Sequence, residues 1–362
     1  MQDFPEAMAA ARPGSRFKAR IPFGETASGL QLAIPVTGIR GRHDGPCLWI
    51  NGQVHGDEIN GILAAFDFLA GLDPAAVHGT IVLSTTGNPL AMDARAKKTT
   101  LDDEDLDQSF PGRADGFATE RMAAALFGRI VKAADVTVNM HSHGTRYDSA
   151  PYGVYKLHPK SKVSEAALLR MTAHFHPMVT CRMSILAGQG ELPGNIAGAL
   201  DYQLLEHGRA AFMIELGGGG RAEPDFIAQA VRGFCSLAAD QGILRGGRID
   251  LPATIRRVTA RGHVTSDRGG FARQAAAIGS IAKAGTPLVH LCDAYGAALP
   301  VVSLPHDALV IGLRRDPIVH TGDRLAYVAR AWDEVRVEQE RTADVHGPGV
   351  AMPAGFCVTP ER

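Results

Sequence analysis

The stretch CLWINGQVHGDE, residues 47–58, decides how the first part of the chain folds. It opens with mostly apolar residues and closes on turn-forming ones, which predicts a buried strand from Cys47 to Val54. From Glu58 to Leu69 the apolar residues recur at helical spacing. A strand, a tight turn and a helix in this order are typical of an α/β protein.

Similar units recur through the first two thirds of the chain. Further short apolar runs predict buried strands, and helical patterns lie between several of them. Strands that alternate with helices predict a mostly parallel mixed sheet covered by helices, here over residues 1–245. The further predicted strands are Leu30–Ile39, Thr80–Thr86, Val136–Met140 and Ala211–Leu216, and the further predicted helices are Thr119–Ala133 and Glu165–Phe175.

The pattern of apolar and turn-forming residues changes after about residue 245. Helical periodicity fades there, and short β-like runs are separated by turn residues such as Gly269-Gly270. This pattern predicts a small all-β domain over residues 246–335, followed by a poorly specified C-terminal tail over residues 336–362. Two domains agree with the length of 362 residues, which exceeds the usual size of one compact core.

Charge and composition indicate a protein that acts on small molecules. The 37 basic and 38 acidic side chains nearly cancel, so no summed field favours a nucleic acid or an anionic membrane. The N-terminal residues lack the pattern of a secretory signal, and no apolar stretch has the length of a membrane span. We expect a small-molecule substrate and no nucleic-acid or membrane partner, while assembly into a homo-oligomer stays open.

The cysteines predict a reducing compartment. There are 5 of them, an odd number, and no two form a CxxC pair. Widely scattered cysteines of this kind are typical of buried small residues with reduced thiols. We therefore expect a cytoplasmic protein.

His55 and Glu58 are candidate metal ligands at the turn of the first unit. A histidine and a glutamate three residues apart lie on one face of a first helical turn, and this pair of ligand types suits zinc. A His-x-x-Glu spacing alone is weak, because about one is expected by chance in a chain with 14 histidines. Its position beyond a strand end favours a site, since ligands of open α/β sheets cluster there. The alternative is a plain turn capped by Asp57 or Glu58.

A second candidate follows the predicted strand Val136–Met140. The segment NMHSHG places His141 at that strand end, and His141 would complete a His, Glu, His set. A catalytic zinc takes three protein ligands and leaves one position for water. His143 is then spare, and a hydrogen-bonded histidine near the site is its favoured interpretation.

Glu215 ends the apolar strand in FMIELGGGG, residues 212–220. Burying an unpaired carboxylate is costly, so such a residue usually has a partner or a task. Beside a metal-bound water it could act as a general base. The alternative is a salt-bridged glutamate before a flexible glycine turn.

These motifs together resemble the succinylglutamate desuccinylase/aspartoacylase family, a branch of the zinc carboxypeptidase-like fold. The resemblance implies that His55, Glu58 and His141 bind one zinc ion and that Glu215 is the general base. It also implies that the small β domain is similar to a lipoyl-domain barrel. The resemblance rests on Asn51–Glu58, Asn88-Pro89, Asp105–Gly112, the His141 segment, Glu215–Gly220 and, downstream, Asp293–Gly296, Pro305–Ala308 and Val319–Asp323.

The chain departs from the family pattern at two places. Asp107-Gln108 stand where the family usually has Asn-Arg, and that arginine grips a substrate carboxylate. At about 4 Å and an effective dielectric constant near 20, one unit interaction is worth on the order of 4 kcal/mol, so the change could decide recognition. An acidic substrate terminus becomes doubtful, and Asp107 predicts a cationic amine part instead. Asn139 stands where the family commonly has Asp. An amide in place of that carboxylate would support the histidine ligand more weakly.

The sequence thus predicts a zinc-dependent deacylase that hydrolyses the amide bond of a small acylated amine or amino acid. The family usually has an arginine after Asn-Pro that polarises the scissile carbonyl, and here Lys97 lies nearest to that position, with Arg95 two residues earlier. The sequence does not decide between them, and for both the alternative is a solvated surface cation. A zinc carboxypeptidase and a non-catalytic binding protein on the same scaffold are the alternatives.

Overall fold

A mixed sheet of 13 strands runs through the structure, a computed structural model that describes residues 2–184 and 196–339. The α-helices are α1 Phe4–Ala10, α2 Asn60–Ala70, α3 Pro89–Ala94, α4 Ala118–Ala133, α5 Glu165–Ala173, α6 Leu200–Glu206 and α7 Pro224–Asp240. The strands are β1 Ser15–Glu25, β2 Gln31–Arg40, β3 His43–Asn51, β4 His78–Ser84, β5 Val136–His141, β6 Tyr147–Ser149, β7 Tyr152–Leu157, β8 Thr180–Ser184, β9 Ala210–Glu215, β10 Thr254–Thr265, β11 Gly270–Gln274, β12 Ile281–Ala282, β13 Val289–Cys292, β14 Ala308–Arg314, β15 Ile318–Val319 and β16 Arg324–Arg336.

The centre of the large sheet is parallel. Its order is β1-β2-β4-β3-β5-β9-β7-β8-β10-β16-β14-β12, and β6 pairs with β14. Strands β4, β3, β5 and β9 are parallel neighbours, whereas β1, β2 and the strands after β10 pair in an antiparallel manner. The mixed α/β fold predicted from the alternating pattern is therefore confirmed, and every strand and helix predicted above is present within a few residues.

Strand β3 shows why helices cover both faces of the sheet. Leu48 and Ile50 point to the face that packs against α2, α5 and α7. Cys47 and Trp49 point to the other face, which packs against α1, α4 and α6. Because alternate residues of a strand face opposite sides, an apolar run without polar interruption requires a cover on each side.

The residues after α7 form only strands within the part of the chain that the structure describes. They have an apolar core of their own, in which Leu288, Leu313 and Leu325 are fully buried. Strands β13, β11 and β15 make a separate three-stranded sheet. The division at residue 245 and the likeness to a lipoyl-domain barrel stay predictions, and residues 340–362 of the predicted tail lie outside the described residues.

The strands from β10 to β16 are called the small β region below. Backbone pairing joins this region to strands of the larger domain. Strand β10 lies parallel to β8, with Arg257 opposite Thr180 and Val258 opposite Cys181. Strand β14 pairs with β6, so a second connection crosses the predicted boundary. No helix among the described residues is long and apolar enough to cross a membrane.

A buried ion pair ties β7 to α6. The Lys156 Nζ atom lies 2.7 and 2.8 Å from the two carboxylate oxygens of Asp201, and both side chains are buried. Breaking such a pair leaves an uncompensated charge in the interior. The pair therefore holds α6 against the sheet.

We expect Asp201→Ala to lower the free energy of unfolding by about 3–5 kcal/mol, because it leaves the buried Lys156 ammonium without its carboxylate partner. Urea denaturation followed by circular dichroism measures the change. The matched control is Glu206→Ala, which removes the exposed partner of Lys160 at the end of the same helix and should leave the unfolding midpoint where it was. Equal midpoints for the two variants would contradict the role given to the buried pair.

Candidate metal centre and active site

The register of three parallel strands brings the candidate residues to one edge of the sheet. Asn51 at the end of β3 lies opposite Asn139 in β5, and His141 at the end of β5 lies opposite Glu215 at the end of β9. His55 follows β3 after a short turn. The carboxyl ends of adjacent parallel strands therefore place these residues around one crevice, as expected for an open α/β sheet.

Glu58 lies between two imidazoles. The Nδ1 atom of His55 is 2.9 Å from Glu58 Oε1, and the Nδ1 atom of His141 is 3.1 Å from Glu58 Oε2. All three side chains are buried, and one ligand atom from each falls within 4.8 Å of the others. Burial opposes ionisation of Glu58, but the charge of His55 and the hydrogen bonds to both imidazoles hold the pKa of its carboxyl below the usual value.

This donor set fits a single zinc ion. Two imidazole nitrogens and one carboxylate match the ligands of catalytic zinc sites and leave a position for water. The imidazole of His55 is also oriented from behind, since its Nε2 atom is 3.2 Å from Asp105 Oδ1. A carboxylate on the far nitrogen fixes the ring so that Nδ1 faces the metal position.

Asp105 is a functional residue that the sequence analysis did not single out. It lies in a segment that carries the family resemblance, but the segment gave no sign of which histidine it contacts. Besides His55, its carboxylate accepts a hydrogen bond from Gln108 Nε2 at 3.1 Å and lies 3.2 Å from Lys97 Nζ. Gln108 thus contacts the metal centre through Asp105.

The turn that carries His55 packs closely on α3. A Cβ atom on Gly56 would lie 1.8 Å from the carbonyl oxygen of Ala91, so only glycine fits there. The Gly56 amide also donates a hydrogen bond to Ala96 at 2.7 Å. This contact brings Arg95 and Lys97, which follow α3, to the rim of the crevice.

Glu215 faces the same crevice. Its Oε2 atom is buried and has no hydrogen-bond partner among the described residues. Burial raises the pKa of its carboxyl to about 7; His141 opposes this shift and nearby Glu58 adds to it. A carboxylate in this position can take and return a proton near neutral pH.

The crevice opens into a cavity of about 620 Å³ over the face of the sheet. Side chains at alternate positions of β9, β7 and β10 line it, as the pleat requires. The small β region supplies part of its wall, which the sequence analysis did not predict. The lining residues from that region are Arg261, His263, Arg324 and Tyr327, and those from the larger domain include Asp107, Tyr152, Lys156, Met183 and Met213.

The wall from the small β region is basic. Arg261 is buried with its guanidinium 5.8 Å from the centre of the Tyr327 ring. Burial, and after it the charges of Arg324 and Arg261, lower the pKa of His263 to about 3. The histidine is neutral at physiological pH, and the arginines carry the positive charge of this wall.

His143 lies outside the group of candidate ligands. Its ring contacts the rings of Tyr147, Tyr152 and Tyr327 at centroid distances of 5.1, 5.9 and 5.3 Å. Burial, first of all, lowers its pKa to about 4. It packs as a neutral ring between the two parts of the chain.

Asp107 lies behind His141. It is part of a single 3-10 turn, Leu106–Gln108, and its side chain is largely buried at the cavity wall. Its Oδ1 atom is 3.8 Å from His141 Nε2 and has no hydrogen-bond partner among the described residues. Asp107 and Gln108 therefore both line the cavity and both lie close to the candidate metal ligands, Asp107 beside His141 and Gln108 through Asp105.

Proteins of known structure share this fold. The ectoine utilization protein EutE (DoeB) from Ruegeria pomeroyi, in a product-bound structure, matches with a TM-score of 0.77 and 24% identity over 88% of this chain and 96% of that one. A succinylglutamate desuccinylase/aspartoacylase from Rhodobacter sphaeroides matches with a TM-score of 0.74 and 22% identity over 90% and 97%. An N-alpha-acetyl-L-2,4-diaminobutyric acid deacetylase from Halomonas elongata is 26% identical over 304 residues, which are 82% of this chain and 86% of that protein.

The fold and the site define the class of the protein, a mixed α/β protein with a candidate metal centre of two histidines and one glutamate. Residues 44–239, more than half of the chain, match the catalytic-domain model of one family. The chain belongs to the succinylglutamate desuccinylase/aspartoacylase family, as its motifs predicted.

We expect His55→Ala and His141→Ala to lose bound zinc, because each removes one of the converging Nδ1 atoms. Metal analysis after dialysis, with circular dichroism to verify folding, measures the loss from about one zinc per chain. His143→Ala is the matched control and should keep its zinc, since that ring faces tyrosines. An unchanged zinc content in the His55→Ala, His141→Ala double variant would rule out the site.

Proposed function

We propose that this protein is a zinc-dependent amidohydrolase that removes an acyl group from a small acylated amine or amino acid. The observation that carries the proposal is the convergence of His55, Glu58 and His141 beside the Glu215 carboxylate, whose Oε2 atom is buried. These four side chains come from distant parts of the sequence and meet at one crevice. The relative from Halomonas elongata, which bears the name of an N-acetyl amino acid deacetylase, supports the assignment.

The three candidate ligands and Glu215 would have separate roles in amide hydrolysis. Zinc held by His55, Glu58 and His141 would polarise the acyl carbonyl and make a water molecule more acidic. Glu215 takes a proton from the attacking water as the new carbon–oxygen bond forms. It then gives this proton to the amine nitrogen as the carbon–nitrogen bond breaks.

We assign stabilisation of the carbonyl oxygen to Lys97 rather than to Arg95. Asp105 anchors the Lys97 ammonium at 3.2 Å, and the same carboxylate holds His55. Lys97 is thus tied to the metal centre through one residue. A cation that this ion pair holds near the crevice favours negative charge that develops on the oxygen.

The cavity selects a small substrate with two charged groups. Asp107 gives the crevice a negative charge that favours a cationic amine part. Arg261 and Arg324 on the basic wall favour a carboxylate, so the substrate would be an acylated diamino acid. The substrate would then keep a carboxylate, which the sequence alone made doubtful. Arg261 and Arg324 would bind it in place of the arginine that the family usually has where Gln108 stands. Location in the cytoplasm and assembly into oligomers stay predictions from the sequence.

We expect Glu215→Gln to keep zinc and the fold but to lose about 100- to 10,000-fold in kcat, because the amide cannot accept the proton. Metal analysis and steady-state kinetics on the same preparation separate the two effects. Wild-type turnover in this variant would overturn the assignment of the base. Zinc-loaded wild-type protein that hydrolyses no acyl amide at all would favour the non-catalytic alternative.

The substrate class is tested by comparing three compounds at equal concentration. We expect kcat/KM to be highest for an Nα-acetylated diamino acid, lower for an acetylated diamine without a carboxylate, and lowest for N-acetyl aspartate. Asp107→Asn should reduce the preference for the cationic compound over a neutral acetyl amino acid. Preference of the wild type for the aspartate would reject the cationic amine, and efficient release of C-terminal residues from peptides would favour a carboxypeptidase.

A further inference from the structure

The His141 imidazole has neighbours at both ring nitrogens. Its Nδ1 atom is 3.1 Å from Glu58 Oε2, and its Nε2 atom is 3.0 Å from Asn139 Nδ2. A neutral imidazole carries one proton. If Nδ1 binds the metal, the proton must reside on Nε2, and it then requires an acceptor.

The orientation of the Asn139 amide follows from a chain of buried hydrogen bonds. The indole of Trp49 can only donate, and it donates to Ser84 Oγ at 3.0 Å. Ser84 Oγ donates to Asn51 Oδ1 at 2.8 Å. The Asn51 Nδ2 group then donates to Asn139 Oδ1 at 2.8 Å. Asn139 therefore presents its NH₂ group, a donor, to His141.

Ser84 Oγ lies closer to Asn51 Oδ1, at 2.8 Å, than to the Ile50 carbonyl oxygen, at 3.4 Å, which favours this orientation of the amides. In this orientation Asn139 suits the tautomer without metal. In that tautomer Nδ1–H donates to Glu58 and Nε2 accepts from Asn139. With metal on Nδ1, the Nε2–H group would face the Asn139 NH₂ group, and two donors would oppose each other. An aspartate at position 139 would accept the bond instead.

Asp107 offers the acceptor that Asn139 lacks. Its Oδ1 atom is buried, has no hydrogen-bond partner among the described residues and lies 3.8 Å from His141 Nε2. A shift of less than about 1 Å would bring the pair into hydrogen-bond distance. Burying an unpartnered carboxylate is costly, and a bond to Nε2–H would offset that cost.

We propose that Asp107 positions His141: with a metal bound at Nδ1, the His141 proton would reside on Nε2 and be donated to Asp107 Oδ1. Asp107 acts through His141 and is a positioning residue. The inference rests on the proposed metal site.

The exchange of the two side chains tests the inference. Zinc affinity of the metal-free protein is measured by competition with a chelator for Asp107→Asn, Asn139→Asp and the double variant. We expect Asp107→Asn to weaken zinc binding about 10- to 100-fold. The double variant returns a carboxylate to position 139, where Asn51 also donates to it, and should bind zinc within a few-fold of wild type.

A matched control removes the same charge from the same segment. Asp103→Asn affects an exposed carboxylate that pairs with Lys98 and should leave zinc affinity unchanged. Wild-type zinc affinity in Asp107→Asn would overturn the inference while leaving the metal site intact. So would a double variant that binds as weakly as the single one. Failure of the wild type to bind zinc would instead reject the proposed function.

A spectroscopic readout reports the proton directly. Nitrogen-15 chemical shifts of labelled histidine distinguish a protonated from an unprotonated ring nitrogen, and His141→Gln identifies the signals. We expect Nδ1–H without zinc and Nε2–H with zinc, with the Nε2–H signal moved in Asp107→Asn. An unprotonated Nε2 atom in the zinc-loaded wild type would overturn the proposal.

Discussion

The buried Glu58 carboxylate, shared between the imidazoles of His55 and His141, is the interaction on which the rest of the site depends. A charge in this position is unstable without partners, and the two rings supply them on opposite oxygens. The surrounding structure keeps this arrangement in place. Strand register brings His141 beside the crevice, the contact at Gly56 fixes the His55 turn, and Asp105 holds the far side of the His55 ring.

The cavity separates charge of opposite sign. Carboxylates gather at the candidate metal centre, and the buried Arg261 and the exposed Arg324 line the wall that the small β region supplies. Each part of the chain would thus recognise a different end of the substrate. Under the proposed function, a substrate with one charge of each sign would fit this field better than a dianion. The candidate metal centre and the basic wall belong to different regions of the sequence and meet through the large sheet.

Much of the fold and of the reactive centre could be predicted because the signals are local. Continuous apolar runs marked β5 and β9, and His141 and Glu215 stand out because each is polar at the end of such a run. Strand β8 and the basic wall carried no comparable signal, since Arg261 reaches the cavity only through the pairing of β10 with β8. The donor orientation of Asn139 was beyond sequence reasoning for a similar reason. It depends on Trp49 and Ser84, which contact the site through three-dimensional neighbours rather than through a motif.

The parallel pairing of β8 with β10 has a mechanical consequence. A backbone ladder that continues from one region into the other cannot act as a hinge, because rotation would break its hydrogen bonds. The two regions are therefore coupled through the backbone of the large sheet, at β8–β10 and again at β6–β14. A fragment that ends before β10 would expose β8 as an unpaired sheet edge, which promotes aggregation.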